Sequence, residues 1–365
     1  MKNKSIFKNK SILITGHTGF KGSWLANWLK ILGGNVIGVS KDVPTNPSHY
    51  ELNKKSLFND LNVDITNPEK ISSIINKLRP DYIFHLAAQP IVFESYNNPL
   101  NTFNTNIMGT ANVLDALRKS NHKCVAIIIT SDKSYDNVEW VYGYRETDKL
   151  GGKDPYSGSK GGAELVIKSY YESFFNNSKS NIRLAIGRAG NVIGGGDWAP
   201  HRIVPDCVRS WSKKQKPEIR NPNATRPWQH VLEPLSGYIS LAKYLTNNDL
   251  INGEAFNFGP PSDQNYSVRD LVEEIVKHWP DIGWKDKSNK NLFPHEAGLL
   301  KLNCDKAKNL IKWKSTLNFE ETSKWTADWY HAYYTRGKDE ALEMTFSQIE
   351  KFMSLAKERN SFELF

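Results

Sequence analysis

Only three cysteines occur in 365 residues, Cys124, Cys207 and Cys304, far apart and with no C-x-x-C pair. That argues against a disulfide frame or a zinc site and suits free thiols in a reducing compartment. Long apolar runs are missing too; nothing approaches the roughly 18–20 residues of a membrane helix. Met1 to Lys10 is basic, but only Ser11-Ile12-Leu13-Ile14-Thr15 follows before a glycine-rich turn, which is too short for a secretory signal. A cytoplasmic protein with no membrane partner is expected. Repeats, low-complexity tracts and nucleic-acid motifs are also lacking. The net charge is +9, yet the lysines are scattered among acids, so no nucleic-acid partner is expected. A substrate bearing phosphates is the more economical use of local positive charge.

What is present is enough apolar material for a core, with 39% hydrophobic and 12% aromatic residues. The length suits one large or two intimate domains at roughly 100–200 residues each. Residues 11–15 read as a buried strand, followed by Gly16-His17-Thr18-Gly19-Phe20-Lys21-Gly22 and then a helical pattern from Ser23. Strand, glycine turn and helix in that order are the setting of a dinucleotide fingerprint. Gly16, Gly19 and Gly22 permit a tight turn and let backbone N–H groups approach a pyrophosphate. The next strands are expected at 34–40, at 62–66 and at 81–89, where His85 reads as a core histidine and Ala87 and Ala88 leave room for a cofactor. The second strand ends in Ser40 and Lys41 rather than an acid, so this position leaves NAD and NADP both open. Asp64 is placed either to reach adenine or to cap the following helix.

A helix over about 100–118, a fifth strand at 125–130 and a sixth at 182–188 complete an alternating pattern. It predicts an α/β fold, a doubly wound parallel sheet of Rossmann type, with ligands beyond the strands' carboxyl ends. Ser131, Asp132 and Lys133 fall at such an end. Tyr156 and Lys160, four residues apart, share one helical face, where an ammonium beside a phenol favours the phenolate and makes it a usable base. From Asn191 the texture turns loop-rich, and beyond Asn265 it is helical, with segments at 268–278 and about 319–355. The expected division is a dinucleotide-binding domain of residues 8–190 plus about 230–258. A smaller, mostly helical C-terminal substrate-binding domain would take 191–229 plus about 259–365.

Taken together, Thr15-Gly16-x-x-Gly19-Phe20-x-Gly22, His85-Leu86-Ala87-Ala88 and Tyr156-x-x-x-Lys160 resemble the extended short-chain dehydrogenase/reductase family. Thr130 to Asn137, Asp154 to Ser157, Arg188 to Trp198 and Arg226 to Pro234 are similar to its nucleotide-sugar 4,6-dehydratase branch. The resemblance, which runs from about Lys10 to Leu317, implies a hydro-lyase that oxidises a hexose at C4, eliminates water across C5–C6 and returns the hydride to C6. It implies tightly bound NAD held by Gly16, Thr18, Gly19, Phe20, Gly22, Ser40, Asp64, Ile65, Leu86, Ala87, Ala88, Thr105, Thr130, Tyr156 and Lys160. Tyr156, assisted by Lys160, would take the 4-hydroxyl proton while Ser131 holds the same oxygen. Asp132 would protonate the departing 6-hydroxyl. Most relatives of this branch have Asp-Glu where this chain has Asp132-Lys133, so Lys133 is either the C5 base or an electrostatic helper.

By the same resemblance, Arg188, Asn191, Arg226 and His230 bind the diphosphate of a nucleotide hexose, CDP-glucose being the expected one. Gln89, Glu94 and Asp197 are placed on the sugar side. A role in deoxysugar and O-antigen lipopolysaccharide biosynthesis would follow. A homodimer or dimer of dimers is expected through helices near 100–118 and 156–174, with apolar Ile107, Val113, Leu114, Leu165, Val166 and Tyr170. The alternatives are a nucleotide-sugar 4-epimerase, a dehydratase of another nucleotide hexose, or a catalytically silent nucleotide-binding protein. An epimerase needs no acid at Asp132, so that residue favours dehydration.

Overall fold

The computed structural model describes residues 5–53, 59–279, 282–288 and 298–363. Seven parallel strands form its main sheet: β1 (Ser11–Thr15), β2 (Asn35–Ser40), β3 (Asn59–Asn62), β4 (Tyr82–His85), β5 (Cys124–Ile129), β6 (Ile182–Ala189) and a last strand, Ala255–Phe258. The spatial order is last strand, β6, β5, β4, β1, β2, β3. The order therefore reverses between β1 and β4, which pair with Thr15 opposite His85. At such a reversal the connections leave to opposite sides and a crevice opens at the carboxyl ends.

The strands are apolar almost throughout because both faces are covered. Alternate residues go to opposite faces. Ile12, Ile14, Val125, Ile127 and Ile129 join one apolar cluster, and Leu13, Cys124, Ala126 and Ile128 join the other. The first cluster continues through the helix Leu232–Asn247 to Trp325, Trp329 and Phe352 in the last two helices. The strands and the C-terminal helices thus share one core.

Several expected boundaries shift. The third strand ends at Asn62, leaving Asp64 in the turn beyond it, and the cap of the following helix is Asn67, whose Oδ1 accepts from Lys70 N at 2.9 Å. The expected helix at 100–118 is Pro99–Phe103 and Gly109–Lys119, joined by the π-helical turn Asn104–Met108. The long terminal segment is two helices, Phe319–Thr335 and Lys338–Arg359, broken at Gly337, whose φ of +106° suits glycine. Val113 and Leu114 lie in the sheet core rather than on an outer face, whereas Leu165 is exposed.

Candidate active site

The glycine turn after β1 packs directly on the end of β4. A Cβ on Gly16 (φ +78°) would lie 2.6 Å from the Ala87 nitrogen, and one on Gly22 would lie 2.2 Å from the Gly16 oxygen. This is the physical need for glycine at both positions. The helix that follows, Phe20–Ile31, has Gly19 as its N-cap and no side-chain cap, so its first N–H groups are left for a ligand. These residues open on a cavity of about 990 Å³, at the top of the ~300–1,000 Å³ range usual for ligand sites.

The opposite wall is built from β5 and the helix Pro155–Tyr170. Ser131 ends β5's run and caps the 3-10 turn Asp132–Ser134 by accepting from Lys133 N at 3.2 Å. Its hydroxyl donates to Asp132 Oδ1 at 3.0 Å. Asp132 is buried, and its Oδ2 has no hydrogen-bond partner among the described residues. Asp154 caps the helix by accepting from Ser157 N at 2.9 Å, with Pro155 in the first turn. That start sets Tyr156 and Lys160 on the inner face, both buried.

Burial pushes the Tyr156 phenol up to about 12, opposed by a hydrogen bond with Ser131 and by the Arg202 charge. Burial pulls the Lys160 ammonium down to about 8, and Glu164 opposes this. The Arg202 charge, which sequence reasoning did not single out, also eases Tyr156 ionisation. Arg202 is fixed by Asp197, Nη1 to Oδ2 at 2.8 Å.

The cavity lining includes every residue assigned above to catalysis or to the cofactor, together with Asn191, Asp197 and Arg226. Asn191 sits at φ +46° with its Nδ2 buried and without a hydrogen-bond partner among the described residues, and Arg226 is buried in the cavity wall. Four assigned substrate residues, Arg188, His230, Gln89 and Glu94, do not reach the cavity. Arg188 is buried in a bidentate pair with Glu164 (Nε to Oε1 and Nη2 to Oε2, both 2.8 Å), and its Nη1 donates to Tyr135 Oη at 2.7 Å. Its donors are spent within the core. His230 is fully buried, edge-on to Trp24 and Trp325, and burial holds its pKa near 3. Gln89 closes its own loop, accepting from Ile91 N at 2.6 Å and donating to Thr102 Oγ1 at 3.0 Å. Glu94, also assigned to the sugar side, instead accepts from Asn98. His85 is a satisfied core histidine between Thr15 Oγ1 (2.7 Å) and Thr110 Oγ1 (3.1 Å).

The residues present fit a dinucleotide. The uncapped helix start faces the cavity, Thr105 Oγ1 is a buried hydroxyl on its wall with no hydrogen-bond partner among the described residues, and Ser40 Oγ is oriented by His17 Nδ1 at 3.0 Å. Asp64 lines the same end, its Oδ1 accepting from Thr66 N at 2.9 Å. Lys21, Arg202, Arg220 and Lys287 also line the cavity and were not legible as site residues. Among the described residues no group of acids, histidines and cysteines is arranged to hold a metal ion, and no helix is long and apolar enough to cross a membrane.

A parallel sheet with a glycine turn at its reversal point, facing a Ser–Tyr–Lys set, defines an extended short-chain dehydrogenase/reductase. Residues 13–326 match the family model described as GDP-mannose 4,6 dehydratase, and the chain belongs to that family of nucleotide-sugar dehydratases. It is 43% identical over 360 residues to CDP-glucose 4,6-dehydratase of Salmonella typhimurium, covering 97% of this chain and 99% of that protein. Solved structures share the fold. A UDP-glucose 4-epimerase of Thermotoga maritima, solved with UDP-glucose, has a TM-score of 0.74 at 23% identity, over 88% of this chain and 98% of that one. A UDP-glucose 4-epimerase of Stenotrophomonas maltophila, with bound NAD, has 0.75 at 18%, over 89% and 98%.

Proposed function

We propose that this chain converts CDP-glucose to CDP-4-keto-6-deoxyglucose. The observation that carries the reading is Asp132, buried against Ser131 with an open Oδ2, in the same cavity as Tyr156. An epimerase has no work for a proton donor at that place. The near full-length similarity to the Salmonella enzyme supports CDP-glucose over other nucleotide hexoses.

NAD, when bound in the cleft beyond the glycine turn, supplies hydride uptake from C4 and its return to C6. Tyr156 takes the 4-hydroxyl proton, with Ser131 holding that oxygen and Arg202 lowering the energy of the phenolate. The C4 ketone acidifies the C5 proton, which Lys133 removes. Asp132 gives its proton to the 6-hydroxyl as C6–O breaks, and water leaves. When hydride arrives at C6, the proton returns to C5. Arg226 and Asn191 hold the nucleotide diphosphate from the cavity wall, where the planar arginine fork suits phosphate oxygens.

Within this reading, residues 8–190 with about 230–258 bind the dinucleotide, and 191–229 with about 259–365 bind the sugar nucleotide. Two copies pair through the helices on either side of the π-helical turn and the Tyr156 helix, where Leu100, Met108 and Leu165 are exposed. The test is incubation of the full chain with a panel of nucleotide glucoses, followed by the alkaline absorbance of a 4-keto-6-deoxy sugar. Signal with CDP-glucose is expected; no signal with any member removes the dehydratase reading.

A further inference from the structure

Two rings from distant parts of the chain meet beside the cavity. Phe93, in the short helix Val92–Asn97, and His201, in the loop before the helix Ile203–Ser212, have ring centres 4.4 Å apart and planes tilted by 32°. Both side chains are exposed, so their contact is not part of a core. It spans a gap whose two walls belong to the cavity. Pro90 and Ile91 line it on the Phe93 side, and Ala199, Pro200, His201 and Arg202 line it on the other. The catalytic end lies beneath, since the Arg202 charge acts on Tyr156 and the helix of Phe93 packs on the helix Pro155–Tyr170.

The two sides are held differently. Asp197 Oδ1 accepts from Ala199 N at 3.1 Å and its Oδ2 accepts from Arg202 Nη1 at 2.8 Å, while its carbonyl accepts from Tyr330 Oη. The Trp198 carbonyl accepts from Arg209 Nη1 at 2.8 Å. Both ends of the loop are thereby fixed, leaving Pro200 and His201 as its exposed tip. His201 has a φ of +62°, a left-handed conformation that is uncommon outside glycine and collects at ligand clamps. The helix of Phe93, by contrast, has no side-chain cap at its start, and Ser95 is its one buried residue. The Phe93 side is therefore the one free to move.

We propose that Phe93 and His201 are positioning residues that together close the hexose end of the cavity. The pair opens to admit a nucleotide hexose and, once closed, keeps the 4-keto intermediate beside the hydride it must take back. This goes beyond the dehydratase reading and rests on it for the intermediate. Between C4 oxidation and hydride return the ketone has no covalent bond to the chain. Its escape releases the substrate less two hydrogens, with one hydride left on the cofactor and one proton given to solvent. The chain then stops until its cofactor is exchanged. An aromatic pair of this kind is worth about a 2- to 10-fold bias. That keeps the mouth closed most of the time and still lets it open unaided.

Stopped-flow displacement of CDP-glucose by excess CDP measures escape without turnover on the full-length, nucleotide-stripped chain. Tryptophan fluorescence is the readout, Trp198 and Trp228 being in the cavity wall. Phe93→Ala is expected to release CDP-glucose about 2- to 10-fold faster. His201→Gly removes the other ring and suits the left-handed backbone, so it should do the same. The double variant should release no faster than either single one, because the pair can be lost only once. Phe93→Tyr keeps a ring and should show the parent rate. With NAD present, the share of turnovers ending in free CDP-4-ketoglucose and stranded reduced nicotinamide should rise by the same factor. Parent-like release by both single variants overturns the proposal, as does a double variant whose effect is the product of the two. Binding of CDP-glucose with no product formed would sink the dehydratase reading instead, and the release rates would still decide the closure.

Discussion

Gly190 offers a way to displace Asp132 without changing its chemistry. A Cβ at position 190 would lie 1.6 Å from Asp132 Oδ2 and 2.0 Å from its Cγ. Ordinary contact begins at 3.4 Å, so the carboxyl group must retreat by about 1.8 Å. The clashing atoms are the end of a side chain rather than backbone, and the carboxylate can turn away. The stability cost of Gly190→Ala should therefore be near the low end of overpacking, about 1 kcal/mol. That is a melting shift of only a few degrees. The catalytic cost is larger, since a misplacement of about 1 Å can remove about 100-fold in rate. The loss should be selective. Tyr156 and Ser131 are not moved directly, so C4 oxidation should persist, while elimination fails. Single-turnover measurements separate the two steps: reduced-nicotinamide fluorescence reports oxidation, and product ketone reports elimination. The expected result is a normal or slightly slowed rise in fluorescence with at least about 100-fold slower product formation. Parent-like turnover in Gly190→Ala would refute the placement of Asp132 as the acid.

Other outcomes follow from the same contacts. Glu164→Gln leaves the Arg188 charge buried without its partner, a change worth about 3–5 kcal/mol, visible as a lowered urea midpoint with nucleotide affinity retained in the folded fraction. Loss of nucleotide affinity at unchanged stability would return Arg188 to the substrate. Lys133→Ala should abolish solvent exchange at C5 while leaving C4 oxidation in place; unchanged exchange takes the lysine out of the base role. His49, His85 and His230 are each held neutral by burial, with pKa values lowered from 6.5 to about 3. The unfolded chain binds protons that the folded chain refuses between about pH 6.5 and 3, so stability falls as pH falls through that window. The slope approaches about 1.4 kcal/mol per group per pH unit. A flat urea midpoint from pH 7 to 5 would contradict it.

The glycine turn and the Tyr156–Lys160 spacing were legible because local geometry does the work: a turn that excludes Cβ atoms, and a four-residue step along one helical face. The alternation of strands and helices gave the parallel sheet for the same reason, since each period is written in neighbouring residues. Arg188 was not legible, because its fate depends on Glu164, 24 positions earlier in sequence and brought alongside by the packing of a helix on β6. A signal existed: Glu164 follows Lys160 by four residues and so lies on the same inward face. Gln89 and His230 went the same way, one closing its own loop and the other filling an aromatic core. Lys21 and Arg202 left little trace, because only the folded cavity brings them to Asp132 and Tyr156. The break at Gly337 was available in principle, glycine being a frequent helix terminator.

In the proposed reaction one cavity oxidises C4, expels water and returns the same hydride to C6. CDP-glucose labelled with deuterium at C4 tests it in one mass and NMR measurement of the product. The expected product is a 4-keto-6-deoxy sugar that has lost one water and carries the deuterium at C6. A product of unchanged mass with deuterium still at C4 would contradict it.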